Sequence, residues 1–68
     1  MASEESRLSR IRKAQGVRRE KIAADAGISV QYLWALERGK HQPSLDVARR
    51  LAAALNTTVD QLFPERAA

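Results

Sequence analysis

Three glycines punctuate this chain of 68 residues, at positions 16, 27 and 39, and each follows a run that can coil into a helix. Glycine enters the left-handed backbone region without a steric cost, so a glycine after each such run reads as a helix end. The chain therefore has room for short helices and tight turns. A domain this small needs a compensating source of stability, yet it has no cysteine for a disulfide and a single histidine, His41, well short of a metal ligand set. Packing of apolar side chains is what remains. Hydrophobic content of 44% with 12 alanines and 4% aromatics suits close-packed helices better than a β-sandwich, and the expected class is all-α.

Helix limits follow from caps and periodicity. Ser3 followed by Glu4 and Glu5 fits an N-cap with acids in the first turn, and Leu8 with Ile11 gives an inward face, so the first helix is expected from about 4 to 15. Ile22, Ala23 and Ala26 mark a second helix over 19–26. Ser29 caps a third over 30–38, with Leu33 and Leu36 inward. Pro43 breaks the chain and Ser44 caps a fourth helix, with Leu45, Ala48, Leu51, Ala52 and Leu55 on one stripe. Asn56 ends it, Thr58 with Gln61 has the spacing of a capping box, and a last helix is expected over 59–63, closed by Pro64. The whole reads as one domain over 1–68, with a core of about 4–63 and residues 64–68 as a tail or the start of a linker.

The longest uncharged stretch, Ala26 to Leu36, is 11 residues, whereas a membrane span needs about 20 apolar ones. The opening Met-Ala-Ser-Glu-Glu lacks the basic and then apolar character of a secretory signal, so a cytoplasmic location without membrane contact is expected. The formal net charge is +4, and it is unevenly spread. Arg7, Arg10, Arg12, Lys13, Arg18, Arg19 and Lys21 stand against Glu20 alone, while the residues on either side sum to a small negative charge or to zero. That favours an anionic partner, unless the stretch is a solvated helix face.

Ala23, Gly27, Leu33 and Leu36 form a demanding set. Two helices that cross through a three- to four-residue turn need a small side chain at their closest approach, supplied by Ala23, and a reversal supplied by Gly27. Ile28 anchors that turn in the core. With Leu8-Ser-Arg-Ile-Arg12, Gly16-Val17, Leu36-Glu-Arg-Gly39, Pro43-Ser-Leu45, Leu51-Ala52 and Asp60-Gln-Leu-Phe63 in order, the sequence resembles the helix-turn-helix family of phage repressors and Cro proteins from about Arg7 to Phe63. The resemblance implies a five-helix bundle that binds operator DNA as a dimer. Two positions depart from the family pattern. Arg18 stands where a capping serine or threonine is usual, and Trp34 where a small or polar residue is usual.

The resemblance places the early and middle residues of the third helix against base edges, which here are Val30, Gln31 and Ala35, with Trp34 as a fourth. A helical wheel puts Gln31 and Arg38 opposite the inward Leu33 and Leu36, and Trp34 and Ala35 on the shoulders. Among the base-facing set only Gln31 both donates and accepts hydrogen bonds, which suits adenine. The expected phosphate contacts are Arg18, Arg19, Ser29, Tyr32, Arg38, Lys40 and Ser44, the last at a helix N-terminus. For Arg18 a tolerated surface arginine is the alternative, and for Tyr32 plain packing. Trp34 stays open between stacking on the duplex and docking on a protein. Arg12 and Glu37 are expected to form the ion pair that family members make at the matching places. Dimer contacts are expected at Val59, Leu62 and Phe63, unless Leu62 and Phe63 simply close the core.

Two other classes compete with a DNA-binding regulator. One is a protein-interaction module such as an antitoxin or adaptor whose main target is a protein, while for the regulator a protein partner or a C-terminal sensor domain stays open. The other is an enzyme, for which there is no cysteine nucleophile, glycine-rich phosphate loop or metal set, and no evident acid or base beside His41. No cofactor is expected.

Overall fold

The computed structural model describes residues 6–64. Five helices follow in order: α1 (Arg7–Ala14), α2 (Arg19–Ala26), α3 (Val30–Glu37), α4 (Leu45–Ala54) and α5 (Val59–Leu62). No strand occurs among the described residues. The all-α, five-helix architecture expected from the sequence is the one found.

Side-chain oxygens fix four of the helix starts. Ser6, Ser29, Ser44 and Thr58 each accept from the backbone N–H three residues on, at 3.1, 3.0, 3.1 and 3.2 Å, which satisfies a donor that has no partner within the helix. The exception is α2, where Arg18 takes the extended cap conformation and offers no side-chain bond. At the other ends one pattern recurs. Val17 N–H returns to the Arg12 carbonyl, Ile28 to Ala23, Lys40 to Ala35 and Thr57 to Ala52, at 2.8 to 3.2 Å. Each closure requires a left-handed residue just before it, and Gly16, Gly27, Gly39 and Asn56 supply it. Gly27 is needed for its φ of +71°, and an added Cβ would lie 3.3 Å from Arg50 Nη1, a flexible side-chain end that would have to shift slightly.

The core gathers Leu8 from α1, Ile22, Ala23 and Ala26 from α2, Leu33 and Leu36 from α3, Ala48, Leu51, Ala52 and Leu55 from α4, and Leu62 and Phe63. α2 packs on α4 and α3, and α1 packs on α5 and α3. The small side chains of Ala23 and Ala26 let α2 approach its neighbours closely, while Ile28 is half-buried against the same core beyond the turn.

Four expectations need correction. Helix α1 begins at Arg7 with Ser6 as its cap, because Ser6 is the serine whose Oγ reaches the Ser9 N–H; Ser3, Glu4 and Glu5 lie outside the described residues. α3 stops at Glu37, with Arg38 as its cap. Leu45 does not join the buried stripe of α4 and is 44% exposed, and burial in that helix begins with Val47 and Ala48. Leu62 and Phe63 are 2% and 7% exposed, so they close the core, while Val59 at the start of α5 stays half-buried.

Candidate nucleic-acid interface

Helix α3 is divided lengthwise. Leu33, Leu36 and Glu37 are buried, while Val30, Gln31, Trp34 and Arg38 face solvent and Ala35 and Tyr32 lie half-buried between the two sides. Val30 and Trp34 are 39% and 45% exposed. Together with Leu45 these are the large apolar side chains left in water among the described residues, and two of the three stand on this one helix.

Beyond the core packing of Leu33 and Leu36, an ion cluster ties α3 to its neighbours. Glu37, its side chain 3% exposed, accepts from Arg12 Nε on Oε2 at 2.6 Å and from Arg12 Nη2 on Oε1 at 3.3 Å, and Oε1 also accepts from Arg19 Nε at 2.9 Å. Arg12 also donates through Nη1 to the Val17 carbonyl at 2.9 Å. One carboxylate thus joins α1, the start of α2 and the end of α3. No side-chain polar atom among the described residues is buried without a partner. A second tie comes from Gln15, whose Nε2 donates to the Leu55 carbonyl at 2.7 Å and pins the end of α1 to the end of α4.

The basic stretch resolves into different tasks. Arg12 is buried on Glu37, Arg19 shares that carboxylate with 38% of its side chain exposed, and Lys21 pairs with Asp25 one turn along at 3.2 Å. Arg7, Arg10, Lys13 and Arg18 are exposed. Ser29 and Ser44 use their oxygens as acceptors for caps, which leaves their hydroxyl protons to donate elsewhere. At the start of α4 the exposed Asp46 already complements the helix dipole and pairs with Arg50 at 3.0 Å, so this end offers an anion hydrogen bonds more than net positive charge. Tyr32 packs against the core and its ring meets that of His41 at 6.1 Å. Lys40 lies exposed just beyond α3.

Two contacts change the tasks of residues expected to meet phosphate. Arg19 spends its Nε on Glu37. Arg38 lays its guanidinium over the Trp34 ring, with Cζ 4.5 Å from the centroid. The second was available from the sequence in principle, since the two residues are four apart on one helix and such residues are neighbours on its surface.

A helix-turn-helix family model matches residues 8–62. The transcriptional regulator DdrOP3 of Deinococcus deserti is 45% identical over 57 residues, which cover 84% of this chain and 44% of that protein. The chain thus spans less than half the length of that relative. The uncharacterized transcriptional regulator YazB of Bacillus subtilis is 38% identical over 58 residues, 85% of this chain and 84% of that one. Among solved structures, the restriction-modification controller protein C.AhdI from Aeromonas hydrophila superposes with a TM-score of 0.79 at 35% identity, covering 84% of this chain and 86% of that one. A SinR–SinI complex gives a TM-score of 0.78 at 30% identity, covering 88% and 59%. The chain belongs to the helix-turn-helix family of the phage-repressor and Cro type, and its class is a DNA-binding domain of transcription regulation. Among the described residues no helix is long and apolar enough to cross a membrane.

Proposed function

We propose that the domain regulates transcription by seating α3 in the major groove of double-stranded DNA, as a homodimer on a palindromic operator in the cytoplasm. The observation that carries this is the outward face of α3, where Gln31 stands among Val30, Trp34 and Ala35 on a helix held rigidly from behind by Glu37. Gln31 is the base reader, pairing with adenine N6 and N7, and Val30, Trp34 and Ala35 add apolar contact such as a thymine methyl would accept. Arg18, Arg19, Ser29, Tyr32, Arg38, Lys40 and Ser44 line the phosphate path on either side. Two copies are required because one recognition helix reads too few base pairs for an operator to stand out in a genome. Leu62 and Phe63 close the core, which leaves the half-buried Val59 as the part of α5 open to a dimer contact. Residues 1–68 act as one binding unit, without catalysis or cofactor, in keeping with relatives named as regulators.

The exposed Val30, Trp34 and Leu45 support a second reading, a module whose main target is a protein, as in an antitoxin or adaptor. Selection of bound duplexes from a random pool, followed by titration against salt, separates the two. Enrichment of a palindrome, with each phosphate contact contributing about 0.9 to the slope of log affinity against log salt, supports the DNA reading. Arg19→Ala and Lys40→Ala should each flatten that slope. Failure to retain any duplex, with stoichiometric capture of a protein instead, would overturn it. Sedimentation at DNA saturation tests the dimer, which a single copy per duplex would exclude.

A further inference from the structure

The outward face of α3 holds one side-chain contact that neither the packing of the bundle nor the ion network explains. Trp34 and Arg38 lie one helical turn apart, and the guanidinium sits over the indole at 4.5 Å from the ring centroid, although Trp34 remains 45% exposed and Arg38 is exposed as well. Neither residue contributes to the core. Arg12 and Arg19 behave otherwise: both are tied to Glu37, whereas Arg38 rests on a π face.

The distinction matters for what Arg38 has left to offer. A salt bridge consumes N–H donors, but stacking uses the flat face of the guanidinium and leaves its in-plane donors free. An arginine held this way has lost much of its rotamer freedom before any ligand arrives. Arg38 also caps α3, with φ −90° and ψ 0°, and its backbone N–H is bonded to the Trp34 carbonyl at 3.0 Å, so both ends of the residue refer to Trp34.

Building on the DNA-binding reading, we infer that Trp34 is a positioning residue for Arg38: the indole platform holds the guanidinium edge ready for a backbone phosphate at the rim of the groove. Ordering a long side chain at an interface costs enough to weaken binding by about twofold to tenfold, and prior stacking removes that cost. The inference accounts for a tryptophan at a position where a small or polar residue would leave the arginine to swing freely.

The test combines a measurement on the free domain with a double-mutant cycle on a selected duplex. In the free domain, 15N relaxation of the Arg38 Nε–H group should report an ordered side chain in the parent and in Trp34→Phe, and a mobile one in Trp34→Ala. On DNA, Trp34→Ala should weaken binding by about twofold to tenfold per protomer while retaining the salt slope, Trp34→Phe should recover most of the loss, and Arg38→Ala should lower the slope by about 0.9. In the Arg38→Ala background, Trp34→Ala should weaken binding clearly less than it does in the parent, the remainder being the indole's own contact with the duplex. If the two losses simply multiply on a duplex the parent binds, or if Arg38 is equally mobile with and without the indole, the positioning role is wrong while the DNA reading stands. If the parent binds no duplex in a salt-dependent way, both fall.

Discussion

Replacing Glu37 by glutamine should remove most of the stability of the domain. Glu37 is 3% exposed and its carboxylate is the counter-charge for Arg12, whose own side chain is 9% exposed, through bonds of 2.6 and 3.3 Å. Glutamine keeps the shape and one acceptor oxygen but turns an amide toward the guanidinium, leaving a buried cation with no anion. Breaking a buried pair from one side costs about 3 to 5 kcal/mol, whereas a chain of this length has about 3 to 10 kcal/mol in all. The partly exposed Arg19 bond at 2.9 Å adds less, and Arg19→Ala should cost no more than about 1 kcal/mol. Urea unfolding followed by far-ultraviolet circular dichroism measures both. At a slope near 1 kcal/mol per molar, Glu37→Gln should be unfolded or nearly so without denaturant. A variant that stays within about 1 kcal/mol of the parent, or an Arg19→Ala variant that loses more than Glu37→Gln, would refute the assignment of Glu37 as the central tie of the bundle.

Arg18→Ser should supply the cap that α2 lacks and stabilise the domain by about 0.5 to 2 kcal/mol in the same urea assay, while weakening all duplexes alike in binding titrations. Gly27→Ala should destabilise by about 1 to 2 kcal/mol, seen as a lower thermal midpoint, because alanine resists φ +71° and its Cβ would press on Arg50. Gln15→Ala should cost about 1 kcal/mol by the same measure, leaving the Leu55 carbonyl without its 2.7 Å donor.

The second, third and fourth helices were legible in the sequence because each ends on a residue suited to positive φ, and two of them begin on a serine that caps. The first helix was misplaced at its start because Ser3 and Ser6 both precede a helical run, and only the bond to Ser9 distinguishes them. The 3.6-residue repeat places Leu45 on the buried stripe, but periodicity gives a direction and not how far along the helix a neighbour covers it, and Leu45 is 44% exposed. For the same reason the pattern could not say whether Leu62 and Phe63 face inward or toward a second copy. The candidate interface was legible as a list of outward residues on α3. The bonds that hold it, Arg19 to Glu37 and Gln15 to Leu55, join residues 18 and 40 positions apart and depend on tertiary placement that no local pattern encodes.

The central claim is that α3 reads bases through Gln31, and the most direct measurement compares Gln31→Ala with the parent on the selected duplex and on every single-base variant of it. Gln31 is exposed in the first turn of α3, so its removal should leave the fold intact. The expected result is a loss of about 1 to 3 kcal/mol of discrimination confined to one position in each half-site, where the parent prefers adenine and the variant accepts all four bases. A uniform loss across all variants, or no loss at all, would contradict base reading by Gln31 and leave specificity to Val30, Trp34 and the deformability of the duplex.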